Sequence, residues 1–293
     1  PALPTLALIC GAATAALADE ATVKMLDGTM HHGTVTSWDQ TSLTVATDAG
    51  PAQIAVEELL GVTWAGREAP AARQAAIELI DGSRLVAERY SAAGDVATIG
   101  LALTGSLQSA PKAAVARVEL APLAEQLASL WQTLEAKDLV GDALVIRKQV
   151  DAGVATELDY LTGVVQDVTS EQVDFVWDGD SVSVRLGKVA GIAYYRPAAR
   201  EVEAPHCLIR TVDGSVLAVR RVAQQQGRLH IETMAGVTLK FSPDVVVEAD
   251  YSMGKLLYLS DLEPWAQRWT PYVAPAEGAS WLASSGLPGF DRA

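Results

Sequence analysis

Cysteine is scarce in this 293-residue sequence, which contains Cys10 and Cys207. Cys10 lies in an N-terminal apolar segment, so a chain cleaved after that segment keeps one thiol and forms no internal disulfide. Cys207 lies in HCLIRTV, which is typical of the start of a strand and predicts a buried, inert thiol. We therefore expect the fold to be stabilised by packing.

Motifs for catalysis and cofactor binding are also missing. The sequence has no G-x-S-x-G, no G-x-G-x-x-G and no P-loop. The four histidines are His31, His32, His206 and His230, and none has a metal-type spacing with a third ligand nearby. We therefore predict no catalytic residue, no metal site, no cofactor and no enzymatic activity.

Acidic residues are frequent, but their spacing predicts no catalytic pair. Asp159 with Asp167 and Glu57 with Glu58 are interpreted as solvated strand ends, because nothing in the sequence fixes their separation. In the DFVWDGDSV stretch, Asp178 and Asp180 are interpreted as turn residues, since a calcium site needs more oxygen ligands. A glycoside hydrolase is the third-ranked hypothesis.

Positive charge is in deficit, with 22 Lys and Arg against 36 Asp and Glu and a formal charge of −14. Such a chain repels phosphate backbones, so we predict no nucleic-acid partner.

Long apolar runs are absent beyond residue 18. Residues 1–18, PALPTLALICGAATAALA, carry no charge and end in small residues, which predicts a signal peptide cleaved after Ala18. A membrane anchor is the alternative, although the run ends at Asp19 and is shorter than the roughly 20 residues that span a bilayer. We predict an exported protein (periplasmic, cell-surface or secreted) without a membrane partner after cleavage.

An internal repeat is the main positive feature. At an offset of 186, Asp27-Gly28 aligns with Asp213-Gly214, and at an offset of 130, Gly33 aligns with Gly163. Another Asp-Gly pair, Asp81-Gly82, follows a strand-like stretch in the same way. Since turn glycines and alternating hydrophobic residues recur together, the pattern predicts tandem copies of a unit of four or five short strands.

One segment has helical rather than strand periodicity. In APLAEQLASLWQTLEAKD, Leu123, Leu127, Leu130, Trp131 and Leu134 follow at three- and four-residue steps. We expect this helix to cover a sheet edge or an open barrel end. The predicted organisation is signal peptide 1–18, β repeats 19–66 and 67–120, helix 121–138, β repeats 139–197 and 198–252, and a linker 253–293 leading towards a further C-terminal domain.

Aromatic residues gather in the final segment. Trp265, Trp269 and Tyr272 are the candidate ligand-binding residues, because flat rings can stack on sugar faces. The alternative is that these rings staple the segment onto the last repeat.

Two family resemblances follow from these patterns. The unit of a strand, Asp-Gly, and strands closing on Leu60 to Val62 or Ala190 to Ile192 resembles the Sm-like small barrel. The order of signal peptide, β repeats, DFVWDGDSVSVRLGKVAGIAYYRP and KLLYLSDLEPWAQRWTPYV resembles the N-terminal region of bacterial exported proteins that carry a C-terminal NPCBM-type domain, a novel putative carbohydrate-binding module.

The expected fold is therefore mainly β, with tandem Sm-like barrel repeats and one amphipathic helix between them. The expected function is that of an exported, non-catalytic binding or scaffold protein, which contacts envelope or extracellular polysaccharide through a neighbouring domain. The alternative is an interaction or oligomerisation module that binds protein partners through strand edges.

Overall fold

Antiparallel β-structure dominates the computed structural model, which confirms the predicted mainly-β fold. The structure describes residues 20–70, 75–120, 125–135, 137, 139–150, 155–196, 203–256 and 266. Within these ranges the chain forms twenty strands, one α-helix and four single-turn 3-10 helices. Within the same ranges, no helix is both long and apolar enough to cross a membrane.

The strands fall into four groups of five along the chain. Group 1 contains β1 (Ala21–Met25), β2 (Met30–Trp38), β3 (Ser42–Thr47), β4 (Gly50–Ala55) and β5 (Leu59–Trp64). Group 2 contains β6 (Ala76–Leu79), β7 (Arg84–Ala93), β8 (Val96–Leu101), β9 (Leu107–Pro111) and β10 (Val115–Glu119). Group 3 contains β11 (Asp142–Val150), β12 (Ala155–Val168), β13 (Gln172–Trp177), β14 (Asp180–Arg185) and β15 (Val189–Ala193). Group 4 contains β16 (Cys207–Thr211), β17 (Val216–Gln225), β18 (Arg228–Thr233), β19 (Thr238–Phe241) and β20 (Val246–Asp250).

Pairing runs in the same order in every group. The first strand pairs with the second and the fifth, the second pairs with the third, and the third pairs with the fourth. A 3-10 turn precedes each fifth strand, at Val56–Glu58, Lys112–Ala114, Leu186–Lys188 and Pro243–Val245. A bulge between the second and third strands lets the second strand bend and belong to two sheet segments.

Asp-Gly turns join the first two strands of groups 1, 2 and 4. In each turn the Asp side chain accepts a hydrogen bond from the backbone N–H two residues on, at Thr29 (2.8 Å), Ser83 (2.8 Å) and Ser215 (3.0 Å). The following glycine has a positive φ, for example +87° at Gly28, which a side chain would disfavour. Group 3 has instead a longer hairpin between β11 and β12.

Alternation along the strands builds the main core. In β3, Leu43 and Val45 are fully buried, and in β13 Val173 and Phe175 are fully buried, while the residues between them are more exposed. This period of two is the one expected of strands with one face against a core. Residues from all four groups contribute to one continuous hydrophobic cluster.

The helix α1 (Glu125–Glu135) covers the outer face of group 3. Its Trp131 and Leu134 pack with Ala143, Val145 and Ala190 in a second, smaller cluster. Because Leu144 between the two β11 residues belongs to the main core, the helix lies over the opposite face of the sheet in group 3. The contact is close because glycine stands at position 191, where a Cβ would lie 2.5 Å from the Trp131 ring.

The groups join in two pairs through their fifth strands. Group 1 meets group 4 where β5 pairs with β20, with Val62 opposite Ala249. Group 2 meets group 3 where β10 pairs with β15, with Val118 opposite Ile192. We call these contacts the first and second junction. Each pairing satisfies strand edges that would otherwise be open.

Candidate ligand-binding grooves at the two junctions

Positively charged side chains form hydrogen bonds between the two groups at each junction. At the first junction Arg67, after β5, donates to the carbonyls of Pro243 (2.8 Å) and Val246 (2.6 Å) at the 3-10 turn of group 4. Lys255, after β20, donates in return to the carbonyls of Val56 (2.5 Å) and Leu59 (2.8 Å) at the 3-10 turn of group 1. Each of the two groups thus places one basic side chain on the 3-10 turn of the other.

The same contact occurs at the second junction. Arg196, after β15, donates to the carbonyls of Lys112 (2.9 Å) and Val115 (2.5 Å) at the 3-10 turn of group 2. Its guanidinium also lies 5.4 Å from the centre of the Tyr194 ring, as Arg67 lies 5.3 Å from the Trp64 ring. In each turn the first carbonyl also accepts the backbone N–H three residues on, so the cation adds a second, charge-assisted hydrogen bond to it.

Replacing Arg196 by methionine is expected to lower the free energy of unfolding by about 1–2 kcal/mol, because two carbonyls lose a charged donor. Arg185→Met is the matched control, since Arg185 is exposed on β14 and no hydrogen bond to its side chain is described. Urea unfolding followed by tryptophan fluorescence measures both variants. Equal stability of the two would show that the capping contact contributes nothing.

Groups 2 and 4 exchange hydrogen bonds through their Asp-Gly-Ser turns. Ser83 accepts from the Ala218 N–H and Ser215 accepts from the Val86 N–H, each at 2.9 Å. Both serines are buried. The exchange connects the two junctions into one network, so that the four groups form a single bonded framework.

Buried aromatic side chains reinforce the junctions. At the first, Trp38 donates its indole N–H to the Tyr251 hydroxyl at 2.7 Å and stacks on Trp64 with ring centres 5.8 Å apart. At the second, the hydroxyls of Tyr90 and Tyr194 lie 2.9 Å apart, and burial raises the pKa of Tyr90 to about 12. Both tyrosines of this pair therefore stay neutral, so they act as hydrogen-bonding groups within the junction.

A groove of about 520 Å³ opens between groups 1 and 4, which meet at the first junction, and we call it the first groove. It is lined by Asp39, Gln40, Arg221, Val222, Ala223, His230, Ile231, Glu232 and Thr238. Gln40, in the turn after β2, docks onto the β17 backbone: it donates to the Arg220 carbonyl and accepts from the Val222 N–H, both at 3.1 Å. The turn of group 1 thereby forms one wall of the groove.

A groove of about 620 Å³ opens at the second junction, and we call it the second groove. It is lined by Glu88, Arg89, Tyr90, Ser91, Thr98, Leu107, Leu120, Arg147, Ser170, Glu171, Leu186, Gly187 and Val189. Its parts match those of the first groove, because Ser170 follows Gln40 by 130 positions and Arg89 precedes Arg221 by 132. Each groove is thus built from one turn and the face of a neighbouring strand group.

The histidines are dispersed in the structure. His31 and His32 lie on β2, His230 lines the first groove, and His206 packs edge-on against Tyr251 with ring centres 5.5 Å apart. Within the described residues, no three His, Cys, Asp or Glu side chains are arranged to hold a metal ion.

Burial, and then the nearby Lys255 ammonium, lowers the pKa of His206 below its ordinary value of 6.5. As pH falls below 6.5, the unfolded chain takes up a proton that the folded chain does not, so His206 makes the fold less stable in acid. We expect the difference in unfolding free energy between pH 7.5 and 5.5 to shrink in His206→Gln and to persist in His32→Gln, whose side chain is exposed. Urea titrations at both pH values measure it; an unchanged difference in His206→Gln would contradict the assignment.

Asp159 and Asp167, one of the acidic pairs singled out in the sequence, have separate partners. Asp159 forms an ion pair with Lys148, and its pKa is lowered by that contact. Asp167 accepts a hydrogen bond from the Gly94 N–H at 3.0 Å.

Asp178 and Gly179 form the two-residue turn between β13 and β14, both with positive φ. Cys207 is fully buried, and burial raises the pKa of its thiol to about 12.

The predicted ligand-binding residues Trp265, Trp269 and Tyr272 lie outside the described residues, as does the predicted signal peptide. The grooves were not predicted. A sequence signal for them exists, since Arg89 and Arg221 are separated by the same offset as β7 and β17. That offset indicates a groove only when it is known which groups pair.

No family model and no curated protein sequence matches this chain.

Proposed function

We propose that this chain is an exported, non-catalytic binding and scaffold protein that is associated with a carbohydrate-binding module and with envelope or extracellular polysaccharide. The observation that carries the binding role is the framework of four strand groups, with a ligand-sized groove between the two groups of each pair. The groups of each pair are joined by paired fifth strands and by arginine or lysine side chains that donate to carbonyls of the other group. A rigid body with open grooves holds a ligand without the loss of conformational entropy that a flexible site would suffer.

We propose further that each strand group is a small barrel of the Sm-like type and that the four are copies of one ancestral unit. The common pairing order, the bulge after the second strand and the 3-10 turn before the fifth support this. Groups 1 and 3 correspond closely, because Gln172–Trp177, Asp180–Arg185 and Leu186–Lys188 each follow their group 1 counterpart by 130 positions. Groups 2 and 4 also correspond closely, because Val216–Gln225 and Arg228–Thr233 each follow their group 2 counterpart by 132 positions.

Polysaccharide retention tests the carbohydrate part of the proposal. The full-length gene product, applied to a panel of immobilised envelope and extracellular polysaccharides, is expected to be retained, and Trp265→Ala, Trp269→Ala and Tyr272→Ala to weaken retention through loss of stacking. Trp177→Ala is the control, because Trp177 is an exposed tryptophan on β13. If no polysaccharide retains the wild-type protein, its association with polysaccharide is wrong.

A second candidate function is protein interaction through a strand edge, and β14 favours it. Its residues Asp180–Ser183 are exposed, and its described pairing is with β13 on one side. The corresponding edge strands carry residues that discourage further pairing, namely Pro51 in β4, Pro111 in β9 and Lys240 in β19. In β14 the charged residues Asp180 and Arg185 stand at the two ends, and the four residues between them are Ser and Val.

Size-exclusion chromatography with light scattering tests this second candidate. If β14 pairs with another copy, the wild-type protein elutes as an oligomer and Ser181→Lys shifts it to the monomer, because an edge lysine opposes strand addition. Ser37→Lys, at an exposed position on β2, is the control. A strictly monomeric wild-type protein rules out self-association through this edge.

A further inference from the structure

The second groove contains two arginines that have no acidic partner among the residues the structure describes. Arg89 on β7 and Arg147 on β11 both line it, and within the described part of the chain neither guanidinium makes a hydrogen bond or an ion pair. Glu88 and Glu171 line the same groove, both are exposed, and neither lies within 4 Å of an arginine nitrogen there. In a chain with a formal charge of −14, an unpaired arginine pair is unexpected.

In the first groove, the arginine that corresponds to Arg89 is paired with a carboxylate of this chain. Arg221 stands opposite Glu232 across the β17–β18 pair, and their side chains form an ion pair at 3.6 Å. Arg89 occupies the matching position on β7 but stands opposite Gly100 on β8. The glutamate that pairs with Arg221 in the first groove is therefore replaced by a glycine, without a side chain, in the second groove.

The second arginine comes from the longer hairpin of group 3. Arg147 stands opposite Leu158 across the β11–β12 pair, so its cross-strand neighbour supplies no charge. The adjacent Lys148 forms the ion pair with Asp159. Because the other groups have a tight Asp-Gly turn here, this guanidinium has no counterpart in the first groove.

Four aliphatic side chains and three small hydroxyl side chains, Ser91, Thr98 and Ser170, also line the groove. Leu107 is 67% exposed, and Leu120, Leu186 and Val189 line the groove beside it. The one aromatic residue in the lining, Tyr90, is 5% exposed and offers no ring face for a sugar to stack on. Aliphatic contact next to guanidinium donors suits a peptide with alternating aliphatic and acidic side chains better than a saccharide.

We propose that the second groove is a binding site for an extended peptide segment of a partner protein, in which an acidic residue is flanked by leucine or valine. Arg89 and Arg147 receive the carboxylate, and the leucines of the groove receive the flanking side chains. This proposal rests on the proposed binding function. It places a protein-binding site in the second groove, away from the β14 edge.

The test uses the full chain and an array of seven-residue peptides in which one or two Asp or Glu alternate with Leu or Val. Matched arrays carry Asn or Gln, or Lys, at the acidic positions. Wild-type protein is expected to bind the acidic array, more weakly at high salt. Arg147→Gln, at a half-buried position, is expected to weaken binding about tenfold, and Arg89→Gln, at an exposed one, about threefold.

Arg221→Gln is the matched control, because that arginine is already paired with Glu232 and lies in the other groove; its peptide binding is expected to equal that of the wild type. The double variant Arg89→Glu with Arg147→Glu is expected to lose the acidic array and bind the lysine array. This reversal distinguishes a change of charge in the groove from loss of the fold, which circular dichroism monitors in every variant.

Three results would overturn the inference: equal binding to the acidic and amide arrays, equal loss in Arg221→Gln and Arg147→Gln, or binding of uronic-acid oligosaccharides with none of any peptide. In the third case the broader binding function survives while the peptide proposal fails. Absence of retention on both peptides and polysaccharides would count against the binding function itself.

Discussion

Trp38→Ala is expected to lower the free energy of unfolding by about 3–5 kcal/mol. Trp38 is 1% exposed at the end of β2, where it stacks on Trp64 and donates to the Tyr251 hydroxyl. Tyr251 follows β20, so the substitution opens a cavity between groups 1 and 4 and removes their buried hydrogen bond. Urea unfolding followed by far-UV circular dichroism measures the loss.

Tyr251→Phe separates the hydrogen bond from the packing. It keeps the ring but leaves the buried Trp38 N–H without its acceptor, so a loss of about 1–3 kcal/mol is expected. Trp177→Ala, at a tryptophan that is 49% exposed, is the control for removing an indole and is expected to cost less than 1 kcal/mol. If Trp38→Ala were no more costly than Trp177→Ala, the first junction would not be a stabilising contact.

Gly163→Ala is expected to destabilise the fold by about 3 kcal/mol or more, since overpacking against backbone cannot be relieved by a change of rotamer. A Cβ at this position on β12 would lie 2.1 Å from the Val176 carbonyl oxygen and 2.8 Å from the Phe175 ring. The strand would have to move away from β13, which disturbs a fully buried phenylalanine. The unfolding midpoint in urea measures the effect.

Gly187→Ala is the matched control for this substitution. Gly187 lies in the 3-10 turn of the same strand group, and a Cβ there would meet no atom within 4 Å. A change within about 1 kcal/mol, in the stabilising direction, is expected because alanine restricts the unfolded chain. Similar destabilisation by both variants would show that β12 and β13 are not in the close contact described.

The way the groups pair explains why the two grooves resemble each other. Group 1 pairs with group 4, and group 3 pairs with group 2, so the corresponding surfaces meet twice. Small sequence differences then distinguish the two grooves. For example, Gly100 occupies the position in group 2 that Glu232 occupies in group 4. One groove thus has an arginine paired with a glutamate, and the other has two arginines that form no ion pair with any residue the structure describes.

The mainly-β fold was predictable because its signals are local. An Asp-Gly turn requires the side chain of Asp27 and a positive φ at Gly28, and both depend on a few neighbouring residues. The buried alternation of Val173 and Phe175 is likewise visible within six residues. The polysaccharide association, the exported location and the roles of Trp265, Trp269 and Tyr272 stay predictions.

By itself, the sequence determined where strands and turns form, because hydrophobic alternation and turn chemistry act over a few residues. Only the tertiary structure decided which groups pair, that α1 packs on a sheet face, and that Arg67, Arg196 and Lys255 cap the turns of other groups. Those contacts join residues far apart in the chain. Their partners are selected by packing and charge in three dimensions, which no local pattern records.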